Sequence, residues 1–239
     1  MSVYKGLNNL TSMFKGNTEV TRVYVGAVNV YDKSQPYKTV EYIKSDGTQI
    51  IVTDIVANPT CKYELDLKFG YAGADAKRGF FGAIEMQNGS LVTRFGANWG
   101  EQSNTAFYVY MFETSNASQT VLSSSSIRTS RNVLSLTMTT RTYGSATLSA
   151  PAATLPTTMT IPLALFGVVE GDSASDFKPF AQSDMYLYGF KIYDANDHII
   201  HNFLPVERQS DSAGGLYDVI TDKFYGNVGT GSFVKGTYT

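Results

Sequence analysis

The sequence predicts an all-β chain: an antiparallel β-sandwich preceded by a short N-terminal hairpin or attachment segment. Three observations lead there. Apolar and polar residues alternate at period two from about residue 20 onward. Turn-forming residues interrupt these runs every 8–12 residues or so, the rhythm of a sandwich rather than of strand–helix–strand units. Charged residues make up only 17% of the chain, with Ser, Thr, Asn and Gly in their place beside 16 Tyr and 14 Phe. That composition suits half-exposed strands and not surface helices laced with Glu and Lys. With 239 residues and 43% apolar content, the chain can bury a substantial core.

The N-terminal 35 residues read as a separate unit. Val3, Leu7, Leu10 and Phe14 fall on one side of a short helix, although Gly6, Asn8 and Asn9 weaken it. Val20–Val25 and Val28–Tyr31 then form a small hairpin turning at Gly26-Ala27, with Val23 and Tyr24 in its first strand. A lone hairpin is marginal in water, so residues 1–35 are expected to dock on another surface, and Ser34-Gln35-Pro36 marks the boundary with a sandwich over 36–239.

Within the sandwich, Gln49–Ile55, Cys61–Phe69, Ala106–Phe112, Val133–Thr139, Met185–Tyr193 and His198–Phe203 read as half-buried strands. In Cys61–Phe69 the odd positions are apolar or nearly so and every even one is charged. Phe80–Ile84 and Met159–Gly167 read as more fully buried strands. Asp46-Gly47, Asn88-Gly89, Asn196-Asp197, Gly214-Gly215 and Gly226-Asn227 supply turns. Ser115–Arg131, dense in Ser, Thr and Asn, reads as a long solvated loop, and Ala150–Pro156 as an inter-strand connection.

Several function classes are disfavoured. A net charge of −2 with no basic run argues against nucleic acid as a partner. No apolar run approaches the roughly 20 residues of a membrane helix, and the start lacks a signal-peptide core. The single cysteine, Cys61, precludes an internal disulfide and suits synthesis in a reducing cytoplasm. His198 and His201 lie three apart, on opposite faces of a strand, so they share neither a metal nor a proton relay. Glu64-Leu65-Asp66-Leu67-Lys68 resembles the Glu-x-Asp-x-Glu strand of concanavalin-like glycosidases, but Lys68 stands where the third carboxylate would be. Lys62, Glu64, Asp66 and Lys68 therefore read as an exposed charge ladder, and no enzymatic activity is expected.

No cofactor and no metal site are expected. Asp172, Asp176, Asp194 and Asp197 sit near turns, and a structural calcium ion stays open, but no loop has calcium-site spacing. Trp99, flanked by small residues, with Tyr108 and Tyr110 on one face of a nearby strand, could form an aromatic platform for a sugar. The alternative is a partly buried core tryptophan.

Two blocks carry a family resemblance. Val40–Ile55 (VEYIKSDGTQIIVTDI) resembles the opening of laminin-G/concanavalin-like jelly-roll domains in bacteriophage structural proteins and gut-bacterial surface proteins. Leu187–Asp194, His201–Val206 and Gly215–Phe233 are similar to that family's closing pattern. Ile50 and Val52 depart from it, standing where the family has Tyr and Asp. Thr18–Gly26 is similar to a short element that recurs ahead of such domains in phage proteins, which implies an adaptor to the particle. The resemblance implies a structural or display protein on the virion surface (fibre, capsid decoration or receptor-binding component), synthesised in the host cytoplasm. Residues 1–35 would bind other virion proteins and the sandwich would face outward, with host or environmental glycans as candidate ligands. Phage fibres of this kind are commonly threefold, and low charge with many aromatics suits a buried interface, so a homotrimer is expected. The alternatives are a carbohydrate-binding module of a bacterial surface protein and an unrecognised glycan hydrolase.

Overall fold

The computed structural model describes residues 36–69, 78–99, 106–113, 120–123, 130–149, 159–173, 176–182 and 184–239, with four short N-terminal strands. All its regular structure is β. The N-terminal strands are Met13–Lys15 (β1), Thr18–Val20 (β2), Arg22–Val25 (β3) and Val28–Asp32 (β4). The next group is Tyr37–Thr39 (β5), Ile43–Asp46 (β6), Ile51–Val56 (β7), Lys62–Phe69 (β8), Arg78–Gln87 (β9), Ser90–Trp99 (β10), Ala106–Glu113 (β11) and Thr120–Ser123 (β12). Then come Asn132–Leu136 (β13), Thr140–Tyr143 (β14), Ala146–Ser149 (β15), Pro162–Leu165 (β16), Gly167–Ser173 (β17) and Asp176–Gln182 (β18). Asp184–Tyr193 (β19), Ile199–Arg208 (β20), Ala213–Asp218 (β21), Lys223–Gly226 (β22) and Val234–Lys235 (β23) complete the chain.

Two large sheets form the sandwich. The smaller has eight strands along β12-β11-β10-β9-β16-β7, with β17 and β18 attached through β9. The larger has eleven along β15-β14-β13-β8-β19-β20-β21-β22, with β5, β6 and β23 off that path. Pairing is antiparallel except between β17 and β9, which run parallel. Aromatic rings join the sheets: Tyr63 of β8 lies 4.7 Å from Phe95 of β10, and Phe81 of β9 lies 5.4 Å from Phe190 of β19. In β8 the inward Tyr63, Leu65, Leu67 and Phe69 are buried and the outward Lys62, Glu64, Asp66 and Lys68 are half-exposed, following the alternation of the sequence.

Local chemistry fixes the bends. Asn88 and Gly89, both at positive φ, close the β9–β10 hairpin between Gln87 and Ser90, the conformation a two-residue turn demands. Gly82 and Gly96 face each other across β9 and β10 at φ +125° and +135°, and a Cβ on Gly82 would stand 2.0 Å from the Phe95 carbonyl. Only glycine fits there. Phe112 (φ 56°) is the extra residue of a bulge opposite Arg94/Phe95, which lets neighbouring Met111 and Phe112 both enter the core.

The two blocks that carry the family resemblance meet in space. The Val228 amide donates to the Ile50 carbonyl, the Thr230 amide to the Thr48 carbonyl, and the Ile50 amide to Asn227 Oδ1. The sandwich also begins and ends side by side: Val40 bridges Tyr238, and the Thr239 amide donates to the Thr39 carbonyl.

Four expectations change. Phe14 lies in β1, paired with Glu19 of β2, and not on a helix; the strands flank Gly16 and Asn17, types that favour a two-residue hairpin. The β3–β4 hairpin forms as expected, with Val23 opposite Tyr31 and Tyr24 opposite Asn29. The strand expected over Val133–Thr139 stops at Leu136, because Thr137 Oγ1 accepts the Thr139 and Thr140 amides and turns the chain. The loop expected over Ser115–Arg131 contains β12, paired with β11, since Thr, Val and Leu suit an edge strand. The expected strand over Met159–Gly167 is divided into β16 and β17 at Phe166, whose positive φ redirects the chain. Val3, Leu7 and Leu10, and the connection over Ala150–Pro156, lie outside the described residues.

Candidate functional site

The outward face of the larger sheet gathers the densest set of rings and charges among the described residues. Its centre is β8, flanked by β13 and β19. Register places Tyr186 of β19 opposite both Lys44 of β6 and Lys68 of β8, so a phenol ring sits between two ammonium groups contributed by neighbouring strands. Lys44 Nζ is 5.1 Å and Lys68 Nζ 5.2 Å from the Tyr186 centroid, within cation–π range. Tyr42, just ahead of β6, meets Tyr186 and Tyr188 edge-on at 5.0 and 5.5 Å. A bulge in β19 between Leu187 and Gly189 turns Tyr188 and Gly189 outward in succession.

Each carboxylate at the centre of this face is engaged. Arg131 grips Asp66 with two hydrogen bonds of 2.8 and 2.7 Å, and its guanidinium lies 3.9 Å from the Tyr188 centroid. Tyr193 Oη donates to Glu64 at 2.7 Å, and Lys62 approaches Glu64 at 3.7 Å and Asp197 at 2.8 Å. Burial and then the Glu64 bond push the Tyr193 hydroxyl up to about 12. Asp184 faces Lys44 at 3.6 Å. A glycosidase acid needs a carboxyl free to hold and release a proton at the scissile oxygen. Glu64 and Asp66 instead hold fixed charge partners.

The two histidines have different partners. His198 lies beside Asp194 in the turn before β20, whereas His201 Nδ1 is 2.7 Å from Asp218 Oδ2. Asp218 is fully buried and also accepts from the Asn202 and Ile220 amides and the Thr221 hydroxyl. Burial would raise its pKa, but these four bonds outweigh it and hold the carboxyl below its ordinary value. Among the described residues no hydroxyl or thiol bonds the other His201 ring nitrogen.

The turn aspartates separate into two places. Asp172 and Asp176 line a cavity of about 270 Å³ with Glu170, Lys178 and Met86, between the β9–β10 and β17–β18 hairpins. Asp194 accepts the Asn196 and His198 amides, while Asp197 pairs with Lys62. Among the described residues no three His, Cys, Asp or Glu side chains converge as a metal would require.

Tyr108 and Tyr110 lie two apart on one face of β11, and the Trp99 side chain expected beside them lies outside the described residues. Tyr108 pairs with Asn98 and Tyr110 with Gly96, whereas Trp99 occupies the adjacent rung with Phe107. Tyr110 is only 6% exposed, and the Arg94 guanidinium covers its ring at 3.7 Å. The Tyr42–Tyr186–Tyr188 cluster went unnoticed in the sequence, although Tyr186-x-Tyr188 in an alternating run was a usable signal.

No family model matches the chain, and no curated protein or solved structure is significantly similar to it.

Proposed function

We propose that the protein is a non-catalytic display module of a tailed-bacteriophage particle, attached through residues 1–35 and presenting the tyrosine- and cation-lined face of its larger sheet outward. The observation that carries the binding reading is the engagement of Glu64 and Asp66. Both carboxylates hold Lys, Arg or Tyr partners, which leaves aromatic rings and ammonium groups as the chemistry the face offers. The particle reading draws its support from the two family-like blocks, which lock onto each other through backbone hydrogen bonds. It also draws on β1–β4, which among the described residues pair as β1–β2 and β3–β4 and with neither large sheet. Strand pairs of that size need a partner surface, and other virion proteins supply it.

Assembly tests the attachment. Supplied during particle formation, the full chain enters purified particles and a chain lacking residues 1–35 stays soluble and outside them. Incorporation of the truncated chain at normal occupancy would sink this reading. A screen against bacterial polysaccharides is expected to show no release of reducing ends. Turnover abolished by Glu64→Gln would assign catalysis instead. The module is further proposed to be a homotrimer, and light scattering at the mass of a single chain up to high concentration would refute that.

A further inference from the structure

We infer that the Lys44–Tyr186–Lys68 rung, with Tyr42 and Tyr188 beside it, is a binding cradle for an acidic polysaccharide. The inference rests on the outward-facing binding reading given above and adds the chemical class of what is bound. It starts from register. Three strands place one phenol ring between two lysines on a single rung, which chain-local sequence does not require. Two ammonium groups facing one ring repel each other, and an anion bound between them would relieve that repulsion.

The balance of charge on the face points the same way. Asp66 is taken by Arg131, Glu64 by Tyr193 and Lys62, and Asp197 by Lys62. Lys44 meets Asp184 only at 3.6 Å, longer than a hydrogen bond, so it retains donors for a ligand. Among the described residues no carboxylate pairs with Lys68 or with the exposed Lys191 of the same face. Glu41 stands at the margin, near Arg131 and Tyr188. With Asp184 counted against Lys44 and Glu41 against one further cation, Lys68 and Lys191 still leave the charge around the rung net positive.

The rings select for sugar over peptide. A pyranose offers one apolar face to a tyrosine and hydroxyls around its edge, and an acid group on the same residue would reach the flanking ammonium groups. Protein-binding patches centre on apolar anchors. Here the outward positions of β8 and β19 are Lys, Glu, Asp, Tyr and Gly, and the one aliphatic side chain beside them on β13 is Val133, 44% exposed.

The test uses the full-length chain and four immobilised probes: polygalacturonate, a phosphate-bearing teichoic acid, neutral dextran and polyglutamate. Polygalacturonate or the teichoic acid is expected to retain the protein at low salt and release it as salt rises; which of the two binds better identifies carboxylate or phosphate as the acid group. Tyr186→Ala and the Lys44→Gln/Lys68→Gln pair should each weaken retention about tenfold, the size of one lost contact worth about 1.4 kcal/mol. Tyr186→Phe should keep it, and Lys178→Gln, on the other sheet, should leave it unchanged. Far-ultraviolet circular dichroism checks that each variant is folded. Equal retention on dextran would overturn the role of the lysines. Equal retention on polyglutamate would mean simple ion exchange or a peptide ligand, and overturns the sugar class. No retention on either acidic glycan overturns the inference outright. None of these outcomes bears on whether residues 1–35 carry the chain into particles, so the two readings fail separately.

Discussion

The two faces of β8 put aromatic rings to opposite uses. Inward, Tyr63 joins Phe81, Phe95, Phe190 and Phe203 in a cluster with centroid spacings of 4.7 to 6.2 Å. Those rings are nearly all phenylalanine and are buried, so their value is area removed from water plus ring–ring geometry. Outward, the rings are Tyr42, Tyr186, Tyr188 and Tyr193, and all of them contact a cation or another tyrosine that does. The rings are part-exposed and the faces of Tyr186, Tyr188 and Tyr193 hold charge. The difference teaches that the inner rings carry the fold, whereas altering the outer rings is expected to cost little stability, as the proposed recognition role requires.

The sharpest way to break the comparison is to remove one ring from each face. Phe81 touches rings of both sheets and is fully buried, so Phe81→Ala should cost about 3–5 kcal/mol in chemical denaturation. That is a large share of the roughly 5–15 kcal/mol that holds a typical domain together. Tyr186→Ala should cost less than about 1.5 kcal/mol, the scale of a half-exposed ring contact. Comparable losses at the two positions would show that the outer rings belong to the fold as well.

Acid probes a second contrast, between the buried carboxylate and the exposed ones. The folded pKa of Asp218 is depressed, because four hydrogen bonds outweigh the cost of burial. Asp54 is depressed as well, through Lys223 and Tyr225, and Glu207 through Lys235 and Tyr238. Such groups stabilise the fold fully above their unfolded pKa, and the contribution is lost as pH falls through the folded one. The thermal midpoint should therefore be nearly level between about pH 7 and 5 and drop below about pH 4, near the ordinary carboxylate values. Asp218→Asn should lower the midpoint at neutral pH and make the acid drop shallower. An unchanged acid slope in that variant would assign the transition to other carboxylates.

Much of this organisation was legible in the chain. The alternation over Cys61–Phe69 gave both faces of β8, and Asn88-Gly89 gave the β9–β10 hairpin, because period and turn chemistry are local properties. The family-like blocks marked two segments that touch. What escaped was register across strands distant in sequence. Lys44, Lys68 and Tyr186 become neighbours only once β6, β19 and β8 lie side by side, and no local pattern states that order. The break at Thr137 came from a hydroxyl competing for backbone amides, which the apolar pattern alone does not reveal.

The smallest effect belongs to the Asp66–Arg131 pair, and it separates stability from positioning. The geometry is favourable, with two parallel hydrogen bonds and a tyrosine under the guanidinium. Both side chains nevertheless reach solvent, at 31% and 51% exposure, where screening and side-chain entropy erode the attraction. A double-mutant cycle of Asp66→Ala and Arg131→Ala should give a coupling of about 0.2–1 kcal/mol at low salt, shrinking as salt rises. Asp66→Ala alone would then leave the fold intact while freeing Arg131, adding an uncommitted cation beside Tyr188. On the acidic-glycan reading, this variant should bind polygalacturonate more tightly than the parent chain. A coupling well above about 1.5 kcal/mol would instead place the pair among the structural supports of the sheet, as strong as a buried contact and too costly to leave free for a ligand.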